Sequence, residues 1–128
     1  MAVRRMFHKG VISSDSFMNL PPQAQTLYIH LCMAADDEGM LSDAMGVMRH
    51  CRARYYDLER LKSCGYIRIF DSGVVFITHW YIHNRIRKDR FKPSIFKKER
   101  ILVSEMKPEG YPNFSEKFLE DQTNFKND

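Results

Sequence analysis

The chain has 128 residues, 44% hydrophobic and 28% charged, with a formal net charge of +4; this suits one globular domain with a real core and leaves too little chain for two. No apolar run approaches the roughly 18 residues of a membrane span, and the opening MAVRRMFHKG lacks the apolar centre of a signal peptide, so a cytoplasmic protein with no membrane partner is expected. Cys32, Cys51 and Cys64 have no close CxxC spacing, which fits reduced thiols better than a disulfide framework.

Arg4, Arg5 and Lys9 give a basic start, and Ser13-Ser14-Asp15 supplies N-cap chemistry for a short turn through Phe17 and Met18 that Leu20-Pro21-Pro22 stops. Pro22 suits the first position of a helix, where its missing N–H costs nothing. From Gln23 to Ala35, the residues Ala24, Leu27, Tyr28, Leu31 and Ala34 or Ala35 recur at three- and four-residue spacing, which predicts one buried helical face. Asp36-Asp37-Glu38-Gly39 reads as a solvated turn closed by glycine, because a metal cage of oxygen ligands needs more donors further along the loop. Ser42 and Asp43 can cap a second helix ending near Arg49-His50-Cys51. After a break at Arg52-Ala53, a third helix runs from Arg54 to Cys64 with Leu58 and Leu61 inward and Gly65 as its C-cap. Tyr66–Phe70 and Val74–Thr78 are rich in β-branched and aromatic residues and flank Asp71-Ser72-Gly73, which predicts a hairpin.

The segment His79–Arg100 holds eight of the twenty Lys and Arg residues against Asp89 and Glu99, with Trp80, Tyr81, Phe91 and Phe96 interleaved. Cations that reach phosphate and flat groups that stack or anchor are what a nucleic-acid surface requires; a solvated basic helix packed through its aromatics has the same composition. His79 and His83, with Cys51 and Cys64, lack the spacing of a zinc finger. Structural histidines are expected there, with Trp80 as a buried cap whose indole N–H finds a backbone acceptor.

Helix, short strand, helix, tight break, helix and hairpin is the order of a winged helix-turn-helix. The expected fold class is therefore α+β and mostly helical, a winged helix-turn-helix with a two-stranded wing and extra C-terminal helices, spanning residues 1–105 ahead of a polar tail or linker at 106–128. Several stretches kept in order carry a more specific likeness: Arg4-Arg5-Met6-Phe7; Ser14-Asp15 with Phe17; Ala24-Gln25 with Leu27-Tyr28 and His30-Leu31; Ala35-Asp36-Asp37 with Gly39; Ser72-Gly73-Val74-Val75; His79-Trp80 with Ile82; and Ile86-Arg87-Lys88-Asp89-Arg90 with Lys92-Pro93. Together they resemble the N-terminal domain of phage replisome-organiser proteins, replication initiation proteins of phages and prophages of Gram-positive bacteria, whose N-terminal domain is similar to the winged helix of the DnaD primosomal family. The resemblance implies a module that binds origin DNA, self-associates as a homo-oligomer and helps recruit the replicative helicase or its loader. Such proteins usually continue into a further C-terminal region, whereas Met106–Asp128 reads as a polar tail with a short helix expected at Ser115–Glu120.

The expected DNA-binding residues are Arg49, Arg52, Arg54, Arg60 and Arg68 around the helix-turn-helix, with Arg85, Arg87, Lys88, Arg90 and Lys92 as the larger phosphate-contacting set. Asp57 and Glu59 on the third helix are expected to repel phosphate and to favour only cytosine amino groups. Duplex DNA is favoured over single strands as partner, although aromatics among cations serve either. No Gly-rich phosphate loop, nucleophile elbow or His-Glu metal motif is present, so neither enzymatic activity nor a cofactor is expected. A winged-helix repressor and a protein-contact module that binds little DNA are the competing readings.

Overall fold

The computed structural model describes residues 3–87 and 89–112. Two short helices, α1 (Lys9–Ile12) and α2 (Asp15–Met18), lead into α3 (Pro22–Ala34). Ser14 caps α2 by accepting from the Phe17 N–H, and Pro22 opens α3, as its fixed φ and absent donor favour. Ala24, Leu27, Tyr28 and Leu31 of α3 are buried, with Ala35 rather than Ala34 completing the inward face.

Beyond α3 come β1 (Met40–Leu41), α4 (Ala44–Cys51), α5 (Tyr55–Ser63), β2 (Ile67–Ile69), β3 (Val75–Ile77), α6 (Trp80–His83) and α7 (Lys97–Met106). The hairpin is not a free two-stranded ribbon. Met40 pairs with Phe76 and Leu41 with Val75, so β1 completes a three-stranded antiparallel sheet in the order β1-β3-β2. All three β3 residues are buried, as a central strand covered on both faces requires.

One core joins these elements. Leu27 and Leu31 of α3 meet Leu58 and Leu61 of α5, Met48 of α4 and the sheet. Phe17, Tyr28 and Tyr66 pack edge to face with ring centroids 5.3 to 5.8 Å apart, the arrangement that aromatic quadrupoles favour. Trp80 is fully buried and its indole N–H donates to the Asp37 carbonyl at 3.0 Å. The chain passes under that indole at Gly39, where φ is +80° and a Cβ would lie 2.5 Å from Trp80 Cγ. Only glycine meets both conditions.

His83 is structural. Its Nδ1 accepts the His8 N–H at 2.7 Å and its Nε2 lies 2.7 Å from the Tyr28 hydroxyl. An acceptor at Nδ1 requires the neutral ring with its proton on Nε2, which then donates to Tyr28. Burial pushes the His83 pKa down to about 4, with His79 and His8 adding to the effect. Asn84 holds the same N-terminal arm through the Met6 N–H.

The acidic run Asp36-Asp37-Glu38 corrects the expectation of a solvated turn. Asp37 and Glu38 are buried. Asp36 Oδ1 accepts the N–H groups of Glu38 and Met40, an Asx-type closure that fixes the loop. Asp37 pairs with Arg5, which also donates to the Ala35 carbonyl and lies over the Trp80 ring. Glu38 binds the Arg100 guanidinium through Nε and Nη2. Buried carboxylates are tolerated only when paired in this way, and here they receive Arg5 from the N-terminal arm and Arg100 from α7.

Pro108–Tyr111 closes a turn against α6, with Tyr111 packed edge to face on Tyr81. The helix expected at Ser115–Glu120 lies outside the described residues. Among the described residues no helix is long and apolar enough to cross a membrane.

Candidate nucleic-acid interface

The turn between α4 and α5 is built by local rules. Asp43 caps α4 by accepting the Gly46 N–H, and α4 ends at Arg52, a non-glycine residue in the left-handed region with φ 59°. The Ala53 N–H returns to the Met48 carbonyl, and Gln23 of α3 donates to the Arg52 carbonyl at 3.2 Å. This tether to α3 holds a conformation that costs a residue other than glycine some energy. The Arg54 N–H then donates to the Asp57 carboxylate at 2.8 Å, using an orphan donor at the start of α5.

Asp57 is thereby removed from the surface. It is buried, and a capping carboxylate at a helix N-terminus is favoured by the dipole. The expectation that Asp57 faces phosphate is corrected; of the two acidic residues only Glu59 is near the surface. Leu58 and Leu61 point inward, and the outer face of α5 presents Tyr55, Tyr56 and Lys62. Tyr55 and Tyr56 are 62% and 61% exposed, high values for rings that a core would readily accept. The Tyr55 hydroxyl interacts with Glu59 one turn on, which raises its pKa.

Arg49 at the end of α4, Arg52 in the turn and Arg54 at the N-cap of α5 are all exposed. Arg60 is half-buried with its Nε enclosed, so it is less available than the others. Arg68 is exposed on β2 and lies over the Phe70 ring. The hairpin tip offers no cation: it is Asp71-Ser72-Gly73, and Ser72 donates to the buried Glu99 of α7 at 2.8 Å. The exposed cation of the hairpin is Arg68, on β2 rather than at the tip.

The second basic set rides on a strap pinned at both ends. At one end the Asn84 N–H donates to the Trp80 carbonyl. At the other, the Lys92 N–H donates to Asp37 at 2.9 Å and the Ser94 N–H to Glu38 at 2.6 Å. Between them Arg85, Arg87 and Arg90 are exposed, as is the side chain of Lys92; Lys88 lies outside the described residues. Arg87 makes a surface ion pair with Asp89 at 3.3 Å, a contact weak enough to yield to a phosphate. Lys92, Pro93, Ile95 and Phe96 line one side of a groove of about 410 Å³ that is also lined by Val47 and His50 of α4 and by its cap Asp43. The end of the strap at Lys92 therefore lies beside α4.

Burial redistributes the charge. Arg5 and Arg100 are spent on internal pairs, while Asp37, Glu38, Asp57 and Glu99 are withdrawn from solvent. Among the described residues, four withdrawn acids against these two withdrawn bases leave the exposed remainder more basic. Among the described residues no cluster of three His, Cys, Asp or Glu could hold a metal ion.

Residue periodicity left out part of this site. Tyr55 and the exposed Lys97 and Lys98 were not among the expected contacts. Their signal was available in the aromatic doublet at a helix start and in the basic run itself. Comparisons with protein-family models, curated proteins and solved structures gave no match.

Proposed function

We propose that this chain is the DNA-binding module of a phage or prophage replication initiation protein, a replisome organiser that binds origin DNA and helps assemble the replisome. The observation that carries the reading is the α4–α5 unit. Three exposed arginines, Arg49, Arg52 and Arg54, sit in and beside the turn, and two exposed tyrosines open the helix that precedes the hairpin. In a winged helix-turn-helix, the N-terminal residues of that helix meet base edges in the major groove. The sheet order β1-β3-β2 and the element order support that topology. The strap from Arg85 to Lys92 supplies phosphate contacts that do not depend on sequence.

The replication role rests on the resemblance to organiser proteins, as do self-association and contact with a helicase or its loader. The test is a titration of the intact chain against random duplex, random single strand and the cognate phage origin region across a salt series. Steeply salt-dependent binding with origin preference is the expected result. A single palindromic site read with high preference would favour a repressor, and negligible binding at low salt would refute the DNA-binding assignment.

A further inference from the structure

The outer face of α7 carries a second kind of surface. Glu99, Arg100 and Val103 point inward. Outward lie Lys98, Ile101, Leu102 and Glu105, with Ile101 58% and Leu102 45% exposed. At 100° per residue these four positions fall within an arc of about 100°, so they form one stripe. Single exposed aliphatics need no explanation, but two side by side at the centre of a stripe with a charge at each end form a patch.

Lys97 and Lys98 share the first turn of α7 with the inward-facing Glu99, and Glu105 lies in the last turn; on the outer stripe, Lys98 and Glu105 each sit at the end of the helix that the macrodipole disfavours for their charge. Among the described residues neither Lys98 nor Glu105 takes part in an ion pair. The stripe is also self-complementary. If two copies of α7 pack antiparallel about a two-fold axis between residues 101 and 102, Lys98 of one faces Glu105 of the other. Ile101 then meets Leu102, and each contact occurs twice, as an isologous interface requires. The antiparallel arrangement brings opposite dipole ends together as well.

We infer that the outer face of α7 is a dimerisation surface for a second copy of this chain, through an antiparallel helix pair centred on Ile101 and Leu102 and bounded by two Lys98–Glu105 ion pairs. One helix pair buries less than the roughly 800 Å² per partner of a standard interface, so the dimer is weak in free solution. It is strengthened when two copies are held near one another on one ligand. The surface is defined by α7 alone and does not depend on whether the chain binds DNA.

Sedimentation of the intact chain from about 10 µM to about 1 mM tests this, because such a weak interface dissociates within that range. A monomer–dimer equilibrium is expected. Ile101→Glu abolishes it, while Lys98→Glu and Glu105→Lys each weaken it about tenfold by turning two attractions into two repulsions. The double variant Lys98→Glu/Glu105→Lys restores association to within about threefold of wild type, since both pairs re-form with reversed signs; a parallel helix pair gives no such rescue. A monomer at every concentration overturns the inference, as does a dimer indifferent to Ile101→Glu or a double variant no better than the singles. Urea melts of the same variants keep their midpoints if the face is free in the monomer. A lowered midpoint for Ile101→Glu means the chain covers this face itself, and also overturns the assignment.

Discussion

Replacing Arg100 by Met isolates the contact that fastens α7 and the strap to the body of the protein. Arg100 Nε lies 3.1 and 2.9 Å from the two Glu38 oxygens, and its Nη2 also donates to the Ser94 carbonyl at 3.1 Å. Both side chains are almost wholly buried, at 8% and 2% exposure. Methionine matches the aliphatic stem but leaves Glu38 with the Ser94 N–H as its one remaining donor among the contacts described above. An unpaired buried charge costs about 3 to 5 kcal/mol. Replacing both partners, as in Glu38→Leu/Arg100→Met, removes the orphaned charge as well as the attraction and is expected to stay within about 2 kcal/mol of wild type.

The pH dependence sharpens the prediction. Burial raises the Glu38 pKa even with Arg100 opposing it. Without the arginine the pKa rises further, so as the pH falls the folded variant takes up a proton before the unfolded chain does. Its stability deficit relative to wild type therefore shrinks as the pH falls from about 7 to about 5. Urea melts of wild type, both single variants and the double variant, at both pH values, measure these differences. A loss below about 1 kcal/mol for Arg100→Met, or a double variant losing the sum of the two singles, would refute the claim that burial makes this pair interdependent.

The other predictions concern the scaffold and the interface. His83 has a folded pKa near 4 against 6.5 in the unfolded chain, so its contribution is whole above the unfolded value and is lost as the pH falls through the folded one. The stability gap between wild type and His83→Asn should narrow by roughly 2 kcal/mol between about pH 7 and about pH 4, a figure already reduced for solvent screening; a constant gap across that range would mean the ring does not titrate as described. Gly39→Ala places a Cβ against the Trp80 indole at positive φ and should cost about 3 kcal/mol or more, with a near-wild-type melt counting against the close approach. Tyr56→Ala should reduce preference among duplex sequences while leaving the salt slope intact, whereas Arg87→Ala with Lys88→Ala and Arg90→Ala should weaken all duplexes about equally and flatten that slope. Fluorescence titration separates them, and equal responses from the two variants would dissolve the distinction between reading and anchoring residues.

Local chemistry made much of the fold legible in sequence order. Ser14 and Pro22 mark helix starts, Leu27, Tyr28 and Leu31 mark a buried face, and Gly73 marks a hairpin, because each depends on neighbours within a few residues. The sequence alone also placed the basic strap and the buried indole of Trp80. It could not show that Asp37 and Glu38 are interior, since their partners stand 32 and 62 positions away at Arg5 and Arg100 and a carboxylate triplet next to glycine looks like any solvated turn. The fate of Asp57 was hidden for another reason: a helix-start carboxylate can cap the backbone or face solvent, and orientation decided it. Which charges reach the surface is a property of burial. Burial is set by contacts between distant residues, and only the assembled tertiary structure determined it.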